Sequence, residues 1–174
     1  MKAMLLLLGA LVTSTLVGAG EPPQRRALLD GKLTMLVPSE FSLMSDEMRR
    51  VKYPGARAPA YVLSNEATTI NIAFDQKPVL IKPAELREFE VAVRKGMTGV
   101  KFESSGVRKL NGADFVFLVF DSPAIDGTIR NVMTMTSLEG QLLVVSYNCM
   151  EARDPGCGAL GRTLMESITL KLKQ

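Results

Sequence analysis

Hydrophobic and polar positions change rhythm several times along this chain, and the clearest rhythm lies between Asp114 and Cys157. Three strands follow one another there. Phe115-Val116-Phe117-Leu118-Val119-Phe120 is apolar without a break. Such a run predicts a strand covered on both faces, at the centre of a sheet. Thr128 to Thr136 alternates instead. Ile129, Met133 and Met135 fall on one side, and Thr128, Arg130, Thr134 and Thr136 on the other, so one face should be wetter. Leu142 to Tyr147 is the third strand. Turn residues part the three: Ser122-Pro123 to Asp126-Gly127, then Glu139-Gly140.

Upstream, Gly31 to Val37 reads as a first strand stopped by Pro38, and Phe41 to Met44 as a short second one. Ser45 is a good N-cap for a brief helix with Asp46 and Glu47 in its first turn, ended by Pro54-Gly55. Tyr61 to Ser64 and Thr68 to Gln76 form a hairpin across Asn65-Glu66-Ala67. In its second strand Ile70, Ile72 and Phe74 point inward, and Thr69, Asn71, Ala73 and Asp75 outward. Leu86, Phe89, Val93 and Met97 recur at helical spacing, which predicts one amphipathic helix from Pro83 to about Lys95. Val100 to Ser105 and Gly106 to Leu110 read as two strands or one bent strand, turned by Asn111-Gly112 into the apolar run. Ala159 to Ser167 looks helical, and Ile168 to Leu172 alternates as a short terminal strand. About seven strands, mostly joined by short turns, and two main helices predict an α+β fold with a largely antiparallel sheet.

Composition adds a compartment. Lys2, the apolar run Met4 to Leu8, Leu11-Val12, Leu16-Val17 and the small residues Gly18-Ala19-Gly20 have the layout of a secretory signal peptide, cleaved near Ala19 or Gly20. No Cys follows for lipid attachment. The expected organisation is a signal peptide over 1–20, a flexible polar leader over 21–31 and a single α+β domain over 32–174, periplasmic or secreted. Losing Lys2 lowers the net charge from +3 to +2, too near neutral to imply a nucleic-acid partner. In an exported chain the two cysteines, Cys149 and Cys157, are expected to pair across a seven-residue loop containing Pro155-Gly156.

The order of elements resembles a known family. The "Tyr-Val-Leu-Ser-Asn-Glu-Ala-Thr-Thr-Ile-Asn-Ile-Ala-Phe" hairpin, the amphipathic helix, the long meander and the closing "Ser-Ile-Thr-Leu-Lys-Leu" resemble the PsbP-like superfamily and its small exported bacterial members of the DcrB type. The resemblance runs from about Leu33 to Leu172. It implies an α/β/α sandwich and a role in binding: superfamily branches bind a small GTPase, organise the oxygen-evolving side of photosystem II, or act as chaperones for secreted effectors. It transfers no functional residue, and the lack of His departs from metal-associated photosynthetic members.

The chain has no His, which excludes Ser-His-Asp and Cys-His catalysis and His-based metal sites. No cofactor, metal or catalytic residue is assigned. Gly156, Gly158 and Gly161 have G-x-G-x-x-G spacing, but that motif needs a parallel strand and a βαβ unit around it. Glu88 and Glu90, and Asp46 and Glu47, read as solvated helix surface. Arg49, Arg50, Lys52, Tyr53 and Arg57 make a candidate docking patch for an acidic partner or anionic lipid headgroups. The expectation is an exported, non-enzymatic binding or accessory protein of the bacterial envelope, acting through protein–protein contacts. The alternative is a small periplasmic hydrolase or ligand-binding enzyme using Ser, Lys or carboxylates in a cleft.

Overall fold

The computed structural model describes residues 21–55, 58–125 and 127–171. Among these, ten strands and three helices are arranged in two antiparallel sheets. In chain order they are β1 (Gln24–Leu28), β2 (Leu33–Val37), β3 (Ser42–Leu43), α1 (Asp46–Lys52), β4 (Tyr61–Ser64), β5 (Ile70–Lys77), α2 (Leu86–Gly96), β6 (Lys101–Leu110), β7 (Ala113–Ala124), β8 (Gly127–Leu138), β9 (Gln141–Cys149), α3 (Cys157–Glu166) and β10 (Thr169–Leu170). A single 3₁₀ turn, Pro83–Glu85, leads into α2. The large sheet has seven strands in the order β3-β4-β5-β9-β8-β7-β6, and the small one has three, β1-β2-β10.

Residue alternation sends two cores to opposite faces of the large sheet. Phe115, Phe117 and Val119 of β7 join Val132, Val145, Tyr147, Leu164 and Met165 in a core closed by α3 and the small sheet. Val116, Leu118 and Phe120 join Leu86, Met135 and Leu142 in a core closed by α2. The unbroken apolar run is therefore buried on both faces, as its composition predicts. Its expected central position is a correction: β7 lies next to the edge strand β6, and β9 occupies the middle. An apolar strand reports cover above and below, not its rank in the sheet.

Cover on both faces corrects three more expectations. The wetter face of β8 is not wet, because Thr134 and Thr136 are buried under the α3 side. Thr136 Oγ1 reaches the Asp114 carbonyl at 2.8 Å. Asn71 and Ala73, expected outward on β5, are also buried. Glu90, read as solvated, sits buried on α2, 3.6 Å from Arg94 Nε, whereas Glu88, Asp46 and Glu47 are exposed.

The stretch 21–31, expected to be a flexible leader, contains β1 paired with β2 from Gln24↔Val37 to Leu28↔Leu33. Arg26 fixes it by donating to the carbonyls of Phe41, Ser39 and Pro38 at 2.7, 2.8 and 3.2 Å. Arg25 donates to the Ser167 carbonyl at 3.0 Å. Charged side chains here satisfy backbone oxygens far along the chain. The signal-peptide stretch 1–20 lies outside the described residues.

The three motif glycines have packing roles. Gly156 caps α3 in the left-handed region (φ 82°). Gly158 and Gly161 are buried on α3, and Gly161 lies against the Tyr147 ring. The strand before them, β9, is antiparallel to both of its neighbours.

Candidate functional site

The edge of the large sheet at β3, α1 and β4 is built unlike the rest of the surface. Ser45 caps α1, its Oγ accepting from Met48 N–H at 3.2 Å. Asp46 and Glu47 begin the helix and Arg49, Arg50 and Lys52 end it, matching charge to the helix dipole. Yet α1 has seven residues and none is buried. A helix so short does not persist by itself. Its flanks hold it instead. Met44 before it and Tyr53 after it pack with Val62 and Ala73 in a small third cluster. Burial pushes the Tyr53 phenol up to about 12. Arg49 donates to the Pro59 carbonyl at 2.9 Å and to Asp46 at 2.8 Å, and Lys52 Nζ donates to the Thr68 carbonyl.

The residues predicted as a docking patch thus do different jobs. Arg49 and Lys52 tie the helix down, Tyr53 anchors it, and Arg50 is exposed. Arg57 lies outside the described residues. Among its charged neighbours α1 also presents two apolar side chains: Met48 and Val51 are 39% and 71% exposed. They are one helical turn apart and share a face. On the other face of this edge, in register with Leu63 and Phe74, Leu43 on β3 is 64% exposed and Tyr61 on β4 54%, whereas the flanks of α1 pack on Val62 and Ala73.

Below this edge, between β4–β5 and the β1–β2 turn, opens a cleft of about 210 Å³. Leu28, Leu29, Leu43, Tyr61, Leu63 and Phe74 give it apolar walls, and Asp30, Lys32 and Gln76 add polar groups. Leu29 and Asp30 adopt left-handed backbone conformations (φ 51° and 55°), which place the turn over the cleft. Lys32 Nζ lies 2.7 Å from Glu139, and that carboxylate raises the lysine above its ordinary range.

These apolar side chains were missed in the sequence. The signal was present in Met48 and Val51, an apolar pair one turn apart in a seven-residue helix. Such spacing ordinarily marks the face a helix buries.

Past the β4–β5 turn, Cys149 and Cys157 are joined, with Sγ atoms 1.98 Å apart. Tyr147 Oη donates to the Cys157 carbonyl at 2.8 Å, so the disulfide and a core aromatic fix the start of α3 together. Nearby, Arg130 on β8 links Glu103 on β6 and Asp121 on β7, and Arg162 on α3 reaches the same Glu103. The hydrogen bond from Arg130, with help from Arg162, holds the Glu103 carboxyl below the usual carboxylate range. This network straps α3 to the sheet. Among the described residues, no group of three or more acids and cysteines is placed to hold a metal ion.

No family model and no curated protein sequence matches the chain. Solved structures do. Cyanobacterial PsbP (CyanoP) from a Synechocystis species is 14% identical with a TM-score of 0.58, covering 93% of this chain and 99% of its own. The Saccharomyces cerevisiae Ran-binding protein Mog1p is 15% identical with a TM-score of 0.51, covering 85% and 95%. LpqN of Mycobacterium tuberculosis, described as involved in cell envelope biogenesis, is 16% identical with a TM-score of 0.50, covering 87% and 86%. At these identities the likeness shows the fold, an α+β architecture of the PsbP-like kind.

Proposed function

We propose that this protein is an exported, non-enzymatic binding module of a bacterial envelope, of the DcrB type, which docks another protein through the β3–α1–β4 edge. One observation carries the reading. Of seven large apolar side chains exposed among the described residues, four (Leu43, Met48, Val51 and Tyr61) lie on this one edge. Leu43 and Tyr61 flank the apolar cleft and Met48 and Val51 sit on α1 over the other face, so a partner gripping this edge would meet exposed apolar side chains on both of its faces. Arg50, exposed at the end of α1, adds a positive charge next to the apolar pair, which suits a partner with an acidic residue near its apolar anchor. The disulfide suits an oxidising compartment outside the cytosol. The fold is one that a Ran-binding protein and an envelope-biogenesis protein also use.

The test is comparative capture from envelope extract with the wild-type protein, Leu43→Asp, Val51→Asp and, as a control on the opposite edge strand, Lys109→Asp. All three positions are exposed, so folding should persist. A stoichiometric protein partner retained by wild type and Lys109→Asp but lost from both edge variants is the expected result. Equal capture by all four proteins would remove this edge from the account.

A further inference from the structure

The cleft flanked by Leu43 and Tyr61 has the size of a side chain rather than of a free ligand. Its volume of about 210 Å³ falls below the roughly 300–1,000 Å³ of small-molecule sites. Phe74 and Leu63, both buried, form its floor, and Leu28 and Leu43 stand beside them. Its charged residues, Asp30 and Lys32, come from the β1–β2 turn. Leu29 and Asp30 are both in the left-handed region there, where the Cβ of Leu crowds the next carbonyl. Such strain persists only where the surroundings enforce it, and it concentrates at ligand-binding positions. Lys32 is held by Glu139 at 2.7 Å. Asp30 is exposed and makes no ion pair among the described residues. The cleft therefore joins an apolar interior to a carboxylate without a bound cation.

A purely aliphatic anchor fills such a cleft but takes water from Asp30 and gives nothing back. A side chain with an apolar stem and a cationic head meets both needs, and Lys and Arg have that form. The Tyr61 ring, 54% exposed at the mouth, decides between them. A guanidinium is planar, weakly hydrated and stacks on an aromatic face, whereas an ammonium is a compact, strongly hydrated charge. Gln76, two residues past Phe74 on β5, shares its face and adds an amide oxygen that can accept from a guanidinium. We propose that this cleft takes one arginine side chain of the docking partner, with the stem along Leu28, Leu43 and Leu63 and the guanidinium between Asp30 and Tyr61. The proposal rests on the reading of the β3–α1–β4 edge as a protein-binding surface, and it names the residue the partner inserts.

Nitrogen-edited NMR of the purified protein tests it. The probes are blocked tripeptides, acetylated and amidated, with arginine, citrulline, lysine or leucine between two glycines. The arginine peptide shifts the backbone amides of Leu29, Asp30, Tyr61 and Gln76. Citrulline has the same shape without the charge, and its peptide binds about two- to fivefold more weakly, the scale of an exposed ion pair. The lysine and leucine peptides also bind more weakly than arginine. Asp30→Asn keeps the turn, because Asn tolerates the left-handed region. It brings the arginine peptide down to the citrulline level and leaves the citrulline peptide unchanged. No shifts at these amides, any of the other three peptides binding as tightly as arginine, or an unaffected Asp30→Asn variant each overturns the proposal. The peptides are read on the isolated chain. If they fail while Leu43→Asp and Val51→Asp still lose the captured partner, the arginine is removed and the edge stands.

Discussion

Gly161→Ala sets helix propensity against packing. Gly161 lies in the middle of α3, where replacing Gly by Ala should stabilise a free helix by about 1 kcal/mol. The structure predicts the opposite sign. A Cβ built at position 161 falls 2.5 Å from Tyr147 Cε1, closer still to Cδ1, and 3.0 Å from Cγ. Favourable carbon contacts lie near ~3.5–4.0 Å, so the helix and ring would have to separate by about 1 Å. The ring has nowhere to go. Tyr147 is 0% exposed, and its hydroxyl is bonded to the Cys157 carbonyl, next to the disulfide. α3 must therefore lift, loosening Leu164 and Met165, both fully buried. Overpacking of this kind costs about 1–3 kcal/mol, and sometimes more. With so close an approach the cost falls at the upper end of that range, and subtracting the propensity gain of about 1 kcal/mol leaves a net destabilisation of roughly 1–2 kcal/mol.

Urea unfolding followed by far-ultraviolet circular dichroism measures this directly. The midpoint should fall in Gly161→Ala at an unchanged slope. Gly158→Ala is the internal control. Its Cβ would meet Glu151 Oε1, the tip of a flexible side chain, and Arg130 Cγ at 3.2 Å, so its midpoint should fall less. Combining Gly161→Ala with Tyr147→Val removes the ring the new methyl strikes, and the two costs should be clearly non-additive. A neutral or stabilised Gly161→Ala, or strict additivity in the double variant, would refute the close approach of α3 to Tyr147.

Other expectations follow from the same contacts. Arg26→Ala should destabilise the fold by about 1–3 kcal/mol and expose the Pro38–Phe41 segment to proteolysis, because three carbonyls lose a charged donor; Arg25→Ala, with one such carbonyl, should cost less. Thr134→Val and Thr136→Val should differ in sign in chemical unfolding. Thr134 Oγ1 is buried with no partner among the described residues, so Val gains about 0.5–1 kcal/mol there, whereas at Thr136 it breaks the bond to Asp114. Glu103, held low by Arg130, stabilises the fold above its unfolded pKa near ~4.3, and that contribution is lost as pH falls through the lower folded value. Unfolding midpoints between pH 6 and 3 should therefore drop more steeply in wild type than in Glu103→Gln.

The pattern of side chains reported the burial of apolar runs well, missed that of Thr134, Thr136, Asn71 and Glu90, and reported position poorly. Phe115 to Phe120 announced a strand covered on both faces, and α2 and α3 supply that cover. Its place next to the edge depends on which strands pair, which alternation does not encode. Arg25 and Arg26 looked like a solvated leader because their partners, the Ser167 and Phe41 carbonyls, are remote in the chain. The meaning of Gly158 and Gly161 likewise waited on Tyr147 and Glu151. At the β3–α1–β4 edge, charge drew attention to Arg49 and Lys52, which bond the Pro59 and Thr68 carbonyls, and to Tyr53, which packs under the edge. The apolar residues next to them, Met48 and Val51, stay exposed, and only the three-dimensional arrangement shows it.

The most direct test of the docking edge is site-specific photocrosslinking in cells that make the protein, with the photoreactive residue placed at Val51 and, in parallel, at Lys109 on the far edge strand. The account predicts one discrete protein adduct from Val51 that is missing from Lys109. Matching adducts from both positions, or an adduct from Lys109 with none from Val51, would contradict it.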